Sequence, residues 1–153
     1  MNAGEDAASL AGLILEQIAD AVIFADARGN IVLWNAAAVA LFGYSAAEAI
    51  GQSLNLIIPD HLQPAHWRGF EAAMSSGVMR LQGRATLTRA RHKSGRRLYV
   101  EMTFALVGAA AGAARGAVAV ARDVTERVGQ QRAAARTEGG GPATTPEHPI
   151  SPR

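Results

Sequence analysis

The sequence predicts an α+β domain: one five-stranded antiparallel sheet with helices packed on a single face. Three observations lead there. Apolar runs at strand spacing occur five times, at Ala21–Asp26, Ile31–Trp34, Gly83–Arg91, Arg97–Val107 and Gly116–Asp123. Between the second and third runs lie several short segments at helical spacing, each bounded by a capping residue or a glycine. The last three runs follow one another through turn-rich connections, as antiparallel neighbours do.

Taken in order, Ser9 to Ala19 reads as a short amphipathic helix, with Ser9 as N-cap and Leu10, Leu13, Ile14 and Ile18 on one stripe. The first two strands are joined by a turn at Arg28-Gly29-Asn30. Asn35 follows directly and suits the N-cap of a helix over Ala36–Leu41, because its side-chain oxygen can accept an orphan backbone N–H. Gly43 ends that helix. Ser45-Ala46-Ala47-Glu48 is a capping-box pattern that starts another, stopped by Gly51. Leu54 to Ile58 is an apolar connector ending at Pro59. His61 to Met74 reads as a longer helix in which Trp67, Phe70 and Met74 recur at i, i+3 and i+7 with His66 beside them. Ser75-Ser76-Gly77 ends it. His92-Lys93-Ser94-Gly95 is the hairpin turn between the third and fourth strands, and an Ala/Gly-rich loop joins the fourth to the fifth. A final helix runs from Thr125 to Thr137. From Gly139 onward the chain has almost no apolar content and is expected to be disordered.

Composition narrows the chemistry. The 153 residues suffice for one domain with a real core, but aromatics are only 5%, so a few large side chains must carry much of its volume. There is no cysteine, which excludes disulfides, thiolate metal sites, Cys nucleophiles and thiol-linked chromophores. No apolar run approaches the roughly 20 residues that span a bilayer, and the acidic start lacks a basic signal region. A cytoplasmic protein that does not engage membrane is the expectation. The net charge of +2 is small. Arg84, Arg89, Arg91, Arg96 and Arg97 cluster around the predicted hairpin, where a solvated loop explains them. A basic face interleaved with aromatics is missing, so no nucleic-acid partner is expected. Nor is an enzyme: no Ser/His/Asp arrangement, phosphate loop or His-x-x-x-His pair is present.

Five segments, in this order, resemble the PAS sensor-domain family: Ala25-Asp26-Ala27-Arg28-Gly29-Asn30-Ile31, Trp34-Asn35-Ala36-Ala37, Leu41 to Glu48, Ile50-Gly51-Gln52-Ser53 and Ala121 to Arg127. The likeness spans about residues 10–128. It implies the PAS fold, a flexible stretch over 1–8, a PAS domain with its flanking helix over 9–128, a helix end over 129–138 and a disordered tail over 139–153. In that family the last motif closes the sheet and hands a signal to a following helix. No kinase, cyclase or DNA-binding module follows here, so a stand-alone sensory domain is expected, with output through a homodimer or a signalling partner protein in trans.

PAS domains hold haem, flavin, other small molecules or nothing. A light-sensing flavin domain of the LOV type needs an adduct-forming cysteine, which this chain lacks. The chain also resembles the haem-binding, oxygen-sensing FixL-type subgroup, which carries a Met/Ile-Pro-Glu/Asp segment and, seven residues after the proline, the histidine that ligates iron. Here Ile58-Pro59-Asp60 precedes His66 at that spacing, and Gly83-Arg84 matches a Gly-Arg pair whose arginine faces the gas. The resemblance therefore implies haem b, with His66 as metal ligand, Trp67 and Phe70 beside it, and Arg84, Met102 and Phe104 on the opposite side. The gas would be O2, CO or NO. Two departures stand against it: one extra residue separates His66 from Gly69-Phe70, and a propionate-binding arginine is replaced by Ala72. Other readings stay open. His66 can be a packed or surface histidine, and the site can take a small organic ligand or none, leaving a protein-interaction module. His61, Met79 and Met102 are weak candidates for a second ligand, His92 and His148 read as exposed, and Arg84 can instead pair with Glu101 across the hairpin.

Overall fold

The computed structural model describes residues 2–81, 83–108 and 113–139. The disorder expected for the tail falls on residues outside that set, apart from Gly139. Helix α1 (Ala3–Gln17) leads into β1 (Ala21–Asp26) and β2 (Ile31–Trp34). Helices α2 (Ala36–Phe42) and α3 (Ala46–Ala49), two single 3₁₀ turns at Leu54–Leu56 and Asp60–Leu62, and α4 (Gln63–Ser76) follow. The chain then forms β3 (Thr86–Arg91), β4 (Arg97–Val107) and β5 (Gly116–Asp123), and ends in α5 (Thr125–Glu138). The sheet is antiparallel in the order β2-β1-β5-β4-β3. No helix among the described residues is long and apolar enough to cross a membrane.

The alternation of β4 decides which face is inside. Leu98, Val100 and Met102 are buried, Tyr99 and Glu101 between them are half-buried, and Arg97 and Thr103 on either side are exposed. The same inner face carries Ala21 and Ile23 of β1, Ala121 of β5 and Ala90 of β3. Onto it pack Trp34, Ala38, Phe42, Ala49 and Ile57. Trp34 and Phe42, with ring centroids 5.3 Å apart, supply much of the volume that a chain poor in aromatics needs.

Two long-range devices fix the helices. Asn35 is the only buried polar residue among those described. Its Oδ1 accepts from the N–H groups of Ala38, as the cap of α2, and of Val22 in β1. Its Nδ2 donates to the carbonyls of Leu15 in α1 and Asp20 before β1. Beside it, Arg122 of β5 grips Asp20 with two hydrogen bonds of 3.1 Å. The capping box at Ser45 and Glu48 is present in both directions, and Gly43 and Gly77 end α2 and α4 in the left-handed conformation.

Three boundaries differ from expectation. Helix α1 begins at Ala3, not Ser9, because Ala7 and Ala8 extend it, Gly4 falls in its first turn, and Glu5 and Asp6 complement its N-terminal dipole. The 1–8 stretch is therefore mostly helical. The fourth helix begins at Gln63 after a tighter 3₁₀ turn containing His61. Strand β3 starts at Thr86, because Gly83, at φ +74°, belongs to a turn closed by the Arg84 N–H on the Leu81 carbonyl.

Candidate functional site

His66 lies in the first turns of α4, four residues before the buried Phe70 and seven before the buried Ala73. That spacing aims it at the side of the helix facing the body of the domain. The imidazole is half-buried and its Nδ1 is shut off from solvent without a hydrogen-bond partner. Burial pushes its pKa below the ordinary histidine value, so the ring is neutral at pH 7. It stands edge-on to Trp67 at 4.7 Å and stacks on Phe70 at 5.9 Å between centroids. A neutral imidazole with a buried, unsatisfied nitrogen in an aromatic nest is costly for folding alone. It is chemically suited to ligating a metal centre.

Trp67 is committed elsewhere. Its indole N–H donates to Asn55 Oδ1 at 2.8 Å, and its ring lies so close to Gly29 that a Cβ there would overlap it. Gly29 also needs a φ of +83°, so the β1–β2 turn admits no side chain on either count. Asn55 is held in turn by Arg91 of β3, whose guanidinium bonds the Asn55 carbonyl and the Asp60 carboxylate. Gln63 closes this support by donating to the Ile58 carbonyl.

The structure thus brings His66, Trp67 and Phe70 together on α4. Met102 and Phe104 neighbour one another on the inner face of β4, the first buried and the second half-buried against the core. Arg84 stands apart, exposed on the turn before β3. It does not pair with Glu101, whose carboxylate takes Arg127 of α5 at 3.1 Å. His92 is not freely exposed: it is half-buried against Gly43, with Nδ1 accepting from the Ser94 N–H. His61 is exposed, and Met79 is half-buried in the segment after α4. His148 lies outside the described residues.

Two open grooves are seen elsewhere. One, of about 250 Å³, runs between α2 and the β1–β5 ends past Asp20, Leu41 and Arg122. The other, of about 300 Å³, lies along Thr103, Ala105, Val118 and Val120. Neither is lined by His66. No three His, Asp or Glu side chains converge among the described residues, so a metal here would find at most two such ligands from the protein.

The PAS-fold family model matches residues 12–124, from within α1 to the end of β5. The chain belongs to the PAS family. As a PAS domain it is of a sensory class, and its sheet and helices follow that fold. It is 33% identical over 124 residues to an uncharacterised protein of Azorhizobium caulinodans, covering 80% of this chain and 17% of that one. It is 45% identical over 53 residues to the sensor protein FixL of Bradyrhizobium diazoefficiens, covering 35% of this chain and 10% of FixL. With the oxygen sensor protein DosP of Escherichia coli it shares 26% identity over 95 residues, 62% of this chain and 12% of DosP. The chain therefore spans under a fifth of the length of these relatives. Among solved structures, a PAS domain from Colwellia psychrerythraea superposes with a TM-score of 0.69 at 24% identity, over 80% of this chain and all of that one. An RNA-binding light-oxygen-voltage receptor gives 0.67 at 22%, over 86% of this chain and 37% of the receptor. At these identities both attest the fold alone.

Asn55, Gly29 and Arg91 were not singled out by sequence reasoning as site residues. Gly29 carries a signal in its turn, but the partners that make it matter are distant in sequence.

Proposed function

We propose that this PAS domain binds haem b through His66 and senses a diatomic gas (O2, CO or NO). The observation that carries the reading is the buried, unpartnered Nδ1 of a neutral His66, seven residues after Pro59, in a chain related to FixL and DosP. Bound haem would supply an iron able to take a small diatomic ligand. His66 would anchor it, Phe70 and Trp67 would shape the side nearest the helix, and Met102 and Phe104 would line the other. Arg84 would have to fold inward from its exposed turn to donate hydrogen bonds to the gas. The buried, unpartnered nitrogen of His66 is the feature that would suit it to hold haem. Neither of the two grooves described is lined by His66, so room for haem there would come from a shift of α4.

The deciding measurement is the visible spectrum of protein expressed with haem supplied. A Soret band at one haem per chain, abolished in His66→Ala, supports the reading, and a full band retained in that variant overturns it. Arg84→Ala should keep the band and speed loss of the gas. Unchanged release would leave Arg84 a surface residue.

A second reading is favoured by α1, where Leu10, Leu13 and Ile14 are more than half exposed. Under it the domain is a colourless interaction module that forms a homodimer through that stripe, with its output partner in trans. A small organic ligand would instead be released on denaturation, without iron. A cytoplasmic location and a non-catalytic role belong to the same proposal.

A further inference from the structure

The outer face of the sheet carries an arrangement unrelated to His66. Tyr99 of β4 points away from the core, between Leu98 and Val100, which point into it. Arg132 of α5 donates to its hydroxyl at 2.8 Å and lies over its ring at 4.8 Å. Arg97 sits two residues along β4 on the same face, and Arg89 of β3 is directly opposite Tyr99 in the strand register. All three arginines are exposed. The phenol is held below its ordinary pKa, with Arg97 the largest cause and Arg132 also contributing.

The nearby acids do not neutralise this group. Glu101 is taken by Arg127, Asp20 by Arg122, Asp60 by Arg91 and Glu48 by Lys93. Asp123 accepts from the N–H and hydroxyl of Thr125 at the start of α5. Among the described residues, Arg89, Arg97 and Arg132 form no ion pair. Like charges gathered on one face of a strand pair oppose folding, so their placement around one tyrosine needs a compensating role. Because Tyr99 accepts from Arg132, its own O–H is free to donate. Three guanidinium forks and a phenol thus offer donors, and no acidic acceptor, to an oxyanion.

We infer that Tyr99, Arg89, Arg97 and Arg132 form a docking surface for an acidic, carboxylate-rich segment of a partner protein. The surface is open, whereas small-molecule sites are concave. On the same face of β3, two residues from Arg89, Leu87 is 57% exposed and offers apolar contact to a peptide. The occupant would cross from the sheet to α5 and so read the position of that helix. The inference is independent of whether haem is bound.

The test is titration of the isotope-labelled full chain with a synthetic Glu/Asp-rich decapeptide containing one leucine, followed by NMR. Saturable shifts at Tyr99 and at the arginine Nε–H groups are expected. The dissociation constant should rise at least tenfold in Arg97→Gln/Arg132→Gln, rise less in Tyr99→Phe, and stay unchanged in Arg84→Ala, an exposed arginine elsewhere. If the double variant does not fold, Arg132→Lys with Arg89→Gln replaces it, with the same tenfold weakening expected. Equal binding by variants and parent would overturn the proposal, as would equal loss in Arg84→Ala. Tighter binding of a single-stranded oligonucleotide or of inorganic phosphate than of the peptide would overturn the assignment of the occupant.

Discussion

Asn35 shows how one side chain can exceed what its sequence context reveals. As the residue before an apolar helical run it reads as an N-cap, and it is one. Its bonds to Leu15, Asp20 and Val22 reach back 13 to 20 residues and leave no local trace. Asn35→Ala strands two buried N–H donors and removes the donor from two carbonyls. At roughly 1–3 kcal/mol for each buried group left unpaired, a loss of about 3 kcal/mol or more in urea unfolding is expected. A loss below about 1 kcal/mol, the ordinary value of a lone cap, would mean the long-range bonds contribute nothing. Gly29 is similar. Gly29→Ala should cost about 1–3 kcal/mol for the left-handed backbone, with a further loss from overlap with Trp67. The excess should shrink when Trp67 is also replaced by the shorter Phe, and a strictly additive pair would disprove the contact. For His66 the helix and the aromatic neighbours were legible in the spacing. The isolation of Nδ1 was not, since it depends on what covers the helix.

Among elements, the helices bounded by side-chain caps or glycines fell where their end signals placed them, as α2 and α3 show. Helix α1, whose start was read from Ser9, did not. Helix α1 runs past Ser9 because serine inside an alanine-rich run has no obligation to cap. Strand β3 begins three residues after Gly83 because a positive φ interrupts the pleat. Arg84 consequently sits on a turn, and the pairing with Glu101 that strand geometry suggested is replaced by the α5 contact. Helix α1 also allows a clean separation of folding from association. Leu13 is 62% exposed, so Leu13→Glu should change unfolding free energy by no more than about 0.5 kcal/mol. If the chain dimerises through that stripe, the same change should shift its sedimentation to that of a monomer. A dimer that persists in Leu13→Glu would place the interface elsewhere.

At the scale of the molecule, two titrating groups shape the response to acid. His66 has its pKa lowered by burial, so below the ordinary histidine value the unfolded chain takes up a proton that the folded one resists. Stability should therefore decline as pH falls through about 6.5 toward the folded value. Glu48 is held at about 2, chiefly by Lys93 and then by the Ser45 backbone. Its contribution is present above the ordinary carboxylate value of 4.5 and is lost as pH falls from there toward 2. Urea midpoints against pH should show both declines in haem-free protein. His66→Phe should remove the upper one and Glu48→Gln the lower, and an unchanged profile in either variant would contradict its assignment. The strand count, the antiparallel sense and the one-sided helices were readable from alternation and turn chemistry. Which strands sit at the centre was not readable, because no local pattern specifies that the first strand pairs with the last.

That central pairing has a kinetic consequence. Strand β1 meets β2 across a short turn, and β3, β4 and β5 form a meander, so both groups can assemble from near neighbours in the chain. The seam between them joins Ala21 to Ala121, a hundred positions apart, and admits no side chain at Gly116, where a Cβ would strike the Ala25 carbonyl. Loop-closure entropy must be met before that seam rewards the chain. The β1–β5 seam is therefore expected to form late. Conservative substitutions there, such as Val22→Ala on β1, should speed unfolding and leave the folding rate nearly unchanged, whereas Val100→Ala in the meander should slow folding. The last step in building the molecule would then be the closure of the strand that leads directly into α5.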